Sequence, residues 1–393
     1  MIYIIIAATM ADTDSIRVLD VCTGIAGMGM RIPHQTLMYV EKNPFCQSVL
    51  QKRMEDGDLQ QAPVFSDVGN LTADDVASMR VTHIFAGFPC QDISCIGRRR
   101  GVTDDTRSGL LLAILGLAQS AKVPWLFLEN VAAIRKDRAI WEQVMGALHA
   151  CGYDAIWTMV SARDVGAPHC RDRWFALCRR RPDGAAASQF MPGHVAPPEG
   201  KMINGLCTAT ALWHPRPRPT VPRVRLVAPA DQSNTMFNNL PEQRQSVCCW
   251  ATPRTNCGCA RTLTPRCSRD LGTQLRFAST TPADHAAFGM AGIVVDVGYL
   301  EWLMGLPQGW THPSASMESD RRRDWKSRSG HMHWEFEPPN RRIGPRRSMH
   351  MAAKRHQALG NACVPFCAEK AWDVLRTAWA NIDEPPDGAT SPE

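Results

Sequence analysis

Short apolar runs alternate with longer amphipathic stretches through residues 16–180, and this alternation restricts the fold more than any other feature of the sequence. The runs Ile16–Val21, Thr36–Val40, Val81–Ala86 and Trp125–Leu128 have the length and the β-branched or aromatic content of buried strands. Strands that alternate with helices form parallel sheets that are covered on both faces. We therefore predict an α/β fold built on a doubly wound, mostly parallel sheet.

The other elements follow from the same patterns. Further strands are predicted at Pro63–Val68, Ala155–Val160 and Arg173–Cys178, helices at Pro44–Met54, Leu110–Ala118 and Ile140–Ala150, and a return of helix-forming residues at Met351–Ala380.

A change of composition after Arg181 divides the chain of 393 residues. The stretch that follows is rich in proline and arginine and has weak periodicity, which indicates a second unit or a large insertion. The predicted boundaries are an N-terminal extension at 1–15, the α/β domain at 16–180, the irregular segment at 181–345, a C-terminal helix at 346–380 that completes the α/β domain, and a disordered acidic tail at 381–393.

Charge and cysteine content restrict the partners and the compartment. A formal net charge of +6 and a pI of about 8.6 suit a polyanionic partner. The 15 cysteines are odd in number and follow no repeated spacing, which favours reduced thiols in a cytoplasmic protein. The apolar start, Met1–Ala8, is too short to span a bilayer, and Met10 is a second candidate for the initiating methionine.

A cysteine follows one of the predicted strands directly. The run Val81–Ala86 leads into Gly87-Phe88-Pro89-Cys90-Gln91, and the loop after it carries Arg98, Arg99 and Arg100. Ligands of open α/β sheets bind at the carboxyl ends of the strands, and nearby positive charge lowers the pKa of a thiol. Cys90 is therefore a candidate nucleophile, and a buried structural cysteine is the alternative reading.

Glycines and acidic residues follow the first three strands. The turn Gly24–Gly29 lets a ligand approach the backbone closely, although its spacing is not the dinucleotide pattern. Glu41 ends the second predicted strand, where an acid can accept hydrogen bonds from ribose hydroxyls, and Asp67 ends the third. Ordinary solvated carboxylates are the alternative.

The irregular segment holds two further features. Six cysteines lie between Cys207 and Cys267 without a paired Cys-x-x-Cys spacing, so no metal site is predicted. The basic stretch Arg321–Arg347 includes Trp325 and Trp334, and together these side chains are candidates to line a phosphate backbone; a solvated insertion is the alternative.

Five motifs occur in order along the chain. They are Asp20-Val21-Cys22-Thr23-Gly24-Ile25-Ala26-Gly27, Gly87-Phe88-Pro89-Cys90-Gln91, Glu129-Asn130-Val131, Arg171-Asp172-Arg173 and Gly360-Asn361. In this order they resemble the DNA (cytosine-5) methyltransferases, especially those of bacteria and phages. The resemblance covers residues 16–180 and 351–375 and implies a Rossmann-like, class I S-adenosylmethionine-dependent methyltransferase with its target-recognition domain in the irregular segment.

The resemblance assigns catalytic roles that agree with the chemistry. Carbon 5 of cytosine becomes nucleophilic only after a thiolate has added to carbon 6, which is the role of Cys90. Glu129 would meet ring nitrogen 3 and the exocyclic amine, and Arg173 would contact the carbonyl oxygen. Arg171 would support the site from the same face of the strand, and His169 stands where the family has a glutamine.

The resemblance also implies which residues bind S-adenosylmethionine and DNA. The ribose would lie on Glu41, the adenine between Lys42 and Val68 with Asp67 on its amino group, and the methionine end near Asn361 and Cys363. Because Ala26 replaces a glycine of the family, its backbone is expected to avoid a positive φ. The full cofactor set is Asp20, Gly24, Ile25, Ala26, Gly27, Met28, Glu41, Lys42, Asp67, Val68, Gly87, Pro89, Leu110, Asn361 and Cys363, and the DNA set is Gln91, Ser94, Arg98 and Arg107.

The family also implies the partners. The substrate would be a cytosine flipped out of double-stranded DNA, the protein a monomer without membrane association, and a cognate restriction endonuclease a partner if the chain serves a restriction-modification system. An RNA cytosine-5 methyltransferase and an inactive DNA-binding protein on the same scaffold remain alternatives.

Overall fold

The structure is a computed structural model. It describes residues 16–89, 109–135, 137–183, 193–195, 293–317, 325, 333–335, 343–345 and 349–383. Cys90, Gln91, Ser94, Arg98 and Arg107, the tail beyond Asp383 and the cysteines from Cys207 to Cys267 lie outside the described residues.

One mixed sheet organises the described part of the chain. Its strands are β1 (Arg17–Val21), β2 (Gln35–Val40), β3 (Val64–Phe65), β4 (His83–Gly87), β5 (Trp125–Val131), β6 (Tyr153–Ser161), β7 (Asp172–Arg180) and β8 (Gly193–His194). Their spatial order is β3-β2-β1-β4-β5-β7-β6-β8. The pairs that β7 forms with β5 and β6 are antiparallel, and the other pairs are parallel. The predicted doubly wound α/β sheet is confirmed.

Helices cover the sheet and bring in the C-terminal part of the chain. They are α1 (Pro44–Glu55), α2 (Ala73–Ser78), α3 (Leu110–Ser120), α4 (Arg138–Ala150), α5 (Val297–Leu303), α6 (Met349–Asn361) and α7 (Pro365–Asp383), and a separate hairpin pairs β9 (Ile293–Val295) with β10 (Ile343–Pro345). None of these helices has the length and apolar composition that a bilayer crossing requires.

Capping side chains explain where several helices begin. The Asn43 side chain accepts from the backbone of Phe45 and Cys46, with Pro44 as the first helical residue of α1. Thr72 and Asp75 form a reciprocal capping box at α2. The starts predicted at Pro44, Leu110 and Ile140 lie within two residues of the observed ones, whereas α2 was not predicted.

The prediction of a single C-terminal helix that ends at residue 380 was wrong. Instead of a single helix there are two, because Pro365 lacks the backbone N–H that a helix interior needs and therefore starts a new one. The second helix also continues to Asp383, past the predicted end of the ordered chain at 380. The third strand was predicted too long and is reduced to Val64–Phe65.

Two apolar layers enclose the sheet. On one face, Phe85 and Phe127 contact Trp372 of α7 at ring distances of 5.4 and 5.2 Å. Trp379 of the same helix donates to the Leu177 carbonyl at 3.0 Å. The helices α3 and α4 cover the opposite face. The last helix is therefore part of the sheet's core, although it is 200 residues away in sequence from β7.

The segment after Asp296 also packs into this core. Tyr299, Trp302 and Trp310 belong to the same buried cluster as β1 and α7. Trp334 is 1% exposed and donates to the Trp302 carbonyl. Trp325 is 5% exposed and donates to the carbonyl of Gly305, so the expectation that these two indoles line a phosphate backbone was wrong.

A buried carboxylate fastens the same segment to α6. Glu301 is fully buried and accepts from the backbone of Gly309 at 2.6 Å and of Thr311 at 2.7 Å. The Arg355 guanidinium of α6 donates to it at 2.8 Å and also reaches the Thr311 hydroxyl. A charged group of this kind is tolerated inside a protein only when its partners are in place.

Removing the cation should therefore destabilise the fold. Arg355→Met keeps the side-chain volume but leaves Glu301 buried without its counter-charge, and we expect a loss of about 3 kcal/mol in the free energy of unfolding. The control Lys354→Met changes an exposed neighbour on the same helix and should shift stability by less than about 0.5 kcal/mol. Urea denaturation measures both, and equal effects would contradict this role for the ion pair.

Candidate active site

Residues from five strands meet at one edge of the sheet. The turn after β1, Glu41 after β2 and Asp67 after β3 follow parallel strands, and Gly87 ends β4. Glu129 of β5 lies directly beside Gly87 in the strand register. The carboxyl ends of parallel strands share an edge, which is the ligand-binding position in open α/β sheets.

A buried ion pair marks the centre of this edge. The Glu129 carboxylate and the Arg173 guanidinium are joined by an Oε1–Nε distance of 2.8 Å, and each side chain is about 90% buried. Burial raises the pKa of Glu129, while Arg173 and Arg171 oppose that rise. Burial therefore makes Glu129 easier to protonate than a solvated glutamate, whereas the fixed Arg173 cation favours its ionised form.

Arg171 forms hydrogen bonds with the C-terminal segment. It lies one residue before β7, so the prediction that both arginines lie on one strand was wrong by one position. Its guanidinium donates to the carbonyls of Gly360 at 2.7 Å and Ala362 at 2.8 Å. Burial and the neighbouring Arg173 lower its pKa to about 9, which leaves it protonated at neutral pH.

His169, which stands where the resemblance expects glutamine, is also buried. Its Nε2 donates to the Leu303 carbonyl at 2.8 Å, which ties the arginine motif to the end of α5. Burial lowers its pKa to about 3, so the ring is neutral at physiological pH. In the part of the chain that the structure describes, its buried Nδ1 has no hydrogen-bond partner.

The backbone that leads to Cys90 is held by a residue whose role the sequence reasoning missed. The Asn130 side chain donates to the Phe88 carbonyl at 3.0 Å, two residues before Cys90. Asn130 is 2% exposed and is the second-last residue of β5. Asparagine is disfavoured in strands, and its presence at the end of a buried strand was the signal available.

The turn after β1 adopts left-handed backbone conformations. Cys22, Gly24 and Ala26 have φ values of 55°, 59° and 66°. The expectation that Ala26 avoids a positive φ was wrong. The reason is that the surrounding contacts, including the hydrogen bond of its N–H to the Thr23 carbonyl at 2.9 Å, hold it there.

The next glycine of the turn is required by a close approach. A Cβ at Gly27 would lie 2.5 Å from the carbonyl oxygen of Cys363, which is backbone and cannot swing away. The turn therefore presses directly on the connection between α6 and α7. Gly24, by contrast, has open space around its Cα, and its N–H donates to Glu41 at 2.6 Å.

The acids after β2 and β3 are already tied into the edge. Glu41 accepts from the backbone of Gly24 and of Asn43. Asp67 accepts from the Gly69 backbone and from the exposed Lys42 ammonium, both at 3.0 Å, and these contacts lower its pKa. Each carboxylate oxygen keeps a lone pair for a further donor.

The other candidate cofactor residues differ in what they can offer. Ile25, Met28 and Val68 have buried side chains in the core clusters, so they can meet a ligand mainly through their backbones. Pro89 and Asn361 are exposed. Cys363 is buried, and Leu110 is half-buried at the start of α3. In the described ranges, no group of three or more His, Cys, Asp and Glu side chains is arranged to hold a metal ion.

Comparison with protein families identifies the family to which the chain belongs. The sequence profile of the C-5 cytosine-specific DNA methylases matches residues 16–215, which is just over half of the chain. The chain belongs to this family. The resemblance found in the sequence motifs is thereby confirmed, and the family and its fold imply the use of S-adenosylmethionine.

Individual cytosine methylases are similar over part of their length. The type II methyltransferase M.CviJI of Paramecium bursaria Chlorella virus IL3A is 32% identical over 169 residues, 42% of this chain and 44% of that protein. A tRNA (cytosine(38)-C(5))-methyltransferase of Schizosaccharomyces pombe is 26% identical over 201 residues, 49% of this chain and 59% of that protein. The chain thus spans about half the length of these relatives.

Solved structures share the fold at low sequence identity. A mutant of Spodoptera frugiperda DNMT2 superimposes with a TM-score of 0.51 at 13% identity and covers 92% of this chain and 99% of that one. The Dnmt2 methyltransferase of S. pombe gives 0.50 at 16% identity, with coverages of 93% and 99%. These likenesses show the fold.

The electrostatics of the turn give a pH test. Asp20 is 3% exposed, and burial raises its pKa from 3.8 to about 8. Between about pH 4 and pH 8 the folded protein holds a proton that the unfolded chain has released, so stability falls as pH rises through this range. Asp20→Asn removes that dependence.

The expected result is that the difference in the free energy of unfolding between Asp20→Asn and wild type depends on pH. Relative to wild type, Asp20→Asn should be more stable at pH 8.5 than at pH 5, by on the order of a few kcal/mol. Urea denaturation of both proteins without ligand measures this, and other titrating groups cancel in the comparison. The same difference at both pH values would contradict a protonated Asp20.

The close contact at Gly27 gives a second test. Gly27→Ala should cost about 1–3 kcal/mol in the free energy of unfolding, because the new methyl group collides with the Cys363 carbonyl. Gly116→Ala is the matched control in the interior of α3, where a Cβ meets no atom within 4 Å. It should stabilise by about 0.5–1 kcal/mol. Thermal unfolding of both decides, and a neutral Gly27→Ala would contradict the close approach.

Proposed function

We propose that this chain transfers a methyl group from S-adenosylmethionine to carbon 5 of cytosine in double-stranded DNA. The observation that carries the proposal is the buried Glu129–Arg173 pair, which lies beside the end of the strand leading into Cys90. A carboxyl group and a guanidinium at fixed separation match the amine and carbonyl edge of cytosine. Family membership supports the same reaction.

The proposed roles follow from the chemistry of the base. The Cys90 thiolate forms a bond to carbon 6, and electron density moves into the ring. Glu129 holds a proton at ring nitrogen 3, while Arg173 donates to the carbonyl oxygen and stabilises the charge that builds there. Carbon 5 would then take the methyl group, which leaves the cofactor sulfur as a neutral thioether. When carbon 5 afterwards loses its proton to a base, the bond between the Cys90 sulfur and carbon 6 breaks and the thiolate is restored.

The residues at the sheet edge suit the cofactor. When bound, it would supply an electrophilic methyl group on a cationic sulfur. Its ribose hydroxyls and amines are donors, and the edge offers the acceptors Glu41 and Asp67 next to the open space at Gly24. The backbones of Ile25, Ala26, Gly27 and Met28, with Asp20, Lys42, Val68, Gly87, Pro89, Leu110, Asn361 and Cys363, complete the proposed set.

The substrate is proposed on steric grounds. A base inside a duplex is out of reach of the sheet edge, so the cytosine is flipped into it. Gln91, Ser94, Arg98 and Arg107 are proposed to contact the DNA, and target choice is assigned to the recognition segment within 181–345. The protein is proposed to act as a cytoplasmic monomer, with a cognate endonuclease as partner if it belongs to a restriction-modification system.

RNA methylation is the second candidate. It is favoured by the similarity to a protein named as a tRNA cytosine methyltransferase, which extends over more residues than the similarity to M.CviJI. The active-site residues would be the same for both substrates. Competition between duplex DNA and tRNA for methyl transfer separates the two candidate functions. The nucleic acid that is the true substrate should, at low concentration, inhibit methyl transfer to the other nucleic acid, and the reverse inhibition should need a much higher concentration.

A trapped adduct tests the proposed chemistry. DNA that carries 5-fluorocytosine cannot lose its substituent from carbon 5 as a cation, so the bond to the sulfur should persist. We expect a denaturation-resistant protein–DNA adduct that requires both S-adenosylmethionine and the fluorinated base. Bisulfite sequencing of plasmid DNA from expressing cells provides the target sequence.

Cysteine variants identify the nucleophile. Cys90→Ser should abolish the adduct and methylation while leaving DNA affinity within about tenfold, since a serine hydroxyl is a poor nucleophile at neutral pH. Cys170→Ser, at an exposed cysteine, is the control and should form the adduct normally. Methylation that survives in Cys90→Ser would refute the assignment. Wild-type protein that binds DNA without an adduct or methyl transfer would favour an inactive scaffold.

A further inference from the structure

The turn after β1 contains a peptide unit whose observed conformation is opposed by the intrinsic backbone preference of Ala26. Ala26 has a φ of 66°, a region that costs a non-glycine residue about 1 kcal/mol or more. The simplest relief is rotation of the whole peptide unit between Ile25 and Ala26, which changes φ of Ala26. Something outside the turn must oppose that rotation.

The indole of Trp310 contacts this peptide directly. Its Nε1 donates to the Ile25 carbonyl at 2.9 Å, and the bond is buried. The N–H at the other end of the same peptide, that of Ala26, donates to the Thr23 carbonyl. Both polar atoms of the peptide unit are thus engaged, and a rotation would break both bonds.

Trp310 is itself held by the core. The Glu301 carboxylate accepts from the backbone on either side of it, at Gly309 and Thr311. The ring is 2% exposed, and the Arg53 guanidinium lies 5.9 Å from its centroid. The indole therefore presents its N–H from a fixed frame.

Packing beneath the turn does not replace this bond. Ala26 lines a cavity of about 620 Å³, together with Asp20, His34 and Tyr39. Ala26 is 2% exposed and packs with Tyr39, Leu50 and Met54, but these apolar contacts hold its methyl group and offer no hydrogen bond to the peptide between Ile25 and Ala26. The polar contacts of that peptide are the hydrogen bonds to the Thr23 carbonyl and from Trp310.

We propose that Trp310 is a positioning residue that keeps the turn after β1 in its cofactor-binding shape by fixing the peptide between Ile25 and Ala26. The proposal rests on the proposed function for the identity of the ligand. In this proposal the segment after α5 stabilises the cofactor-binding turn, although the two lie more than 280 residues apart in sequence.

The test removes the N–H while keeping an aromatic ring. Trp310→Phe in the full chain should weaken binding of S-adenosylhomocysteine, measured by titration calorimetry, about fivefold to tenfold, as expected for one buried hydrogen bond. The control Trp302→Phe loses an equivalent indole bond, to the His333 carbonyl at 3.2 Å, away from the turn. It should bind the ligand as wild type does.

A second substitution separates positioning from general damage. Glycine adopts a positive φ without strain, so adding Ala26→Gly to Trp310→Phe should restore most of the affinity that Trp310→Phe loses. Affinity that is not restored, or that is unchanged in Trp310→Phe, would overturn the proposal. If Trp310→Phe does not fold, the benzothiophene analogue of tryptophan at this position keeps the shape and lacks the N–H.

Hydrogen exchange without ligand keeps this test independent of the proposed function. The amides of residues 22–29 should exchange faster in Trp310→Phe than in wild type and in Trp302→Phe. Equal exchange in all three proteins would refute the proposal even if the chain binds the cofactor. A wild-type protein that binds no S-adenosylhomocysteine would instead refute the proposed cofactor, while the exchange result would still decide the role of Trp310.

Discussion

The Arg171 guanidinium donates to the carbonyls of Gly360 and Ala362, and through these two bonds the end of the chain closes on the sheet built by its beginning. The close approach of Gly27 to the Cys363 carbonyl depends on that closure. So does the placement of α7 across the phenylalanines of β4 and β5. A buried guanidinium that lost these acceptors would pay a large desolvation penalty, so the contact is strongly specified.

Two carboxyl groups near the site have pKa values that burial raises. Asp20 and Glu129 are both buried and both have raised pKa values, but only Glu129 contacts a cation. The two carboxyls therefore have different electrostatic surroundings. Asp20, near the end of β1, has a pKa of about 8 and is largely protonated at neutral pH. Glu129 combines burial, which raises its pKa, with the neighbouring Arg173 cation, which opposes that rise.

The sequence predicted what depends on local patterns. Strand and helix positions in residues 16–180 came from the alternation of apolar runs with amphipathic stretches, and the residues at the strand ends came from motif order. The positive φ of Ala26 was not predictable, because intrinsic preference opposes it and the contacts that impose it come from distant segments. The burial of Trp325 and Trp334 was missed for a similar reason: surrounding arginines suggested a solvated surface, whereas the indoles pack against α5 and the loop after it.

The segment that contains α5 is tied to three different parts of the core. The chain leaves the sheet after β7, pairs briefly beside β6 at β8, and returns at β9. From there Glu301 fastens it to α6, His169 fastens α5 to the arginine motif, and Trp310 reaches the turn after β1. Both ends of the intervening stretch are thus anchored to the same core. Among the described residues, the contacts of Glu301, His169 and Trp310 therefore couple the fold of this segment to the geometry of the sheet edge, because they end on α6, the arginine motif and the turn after β1.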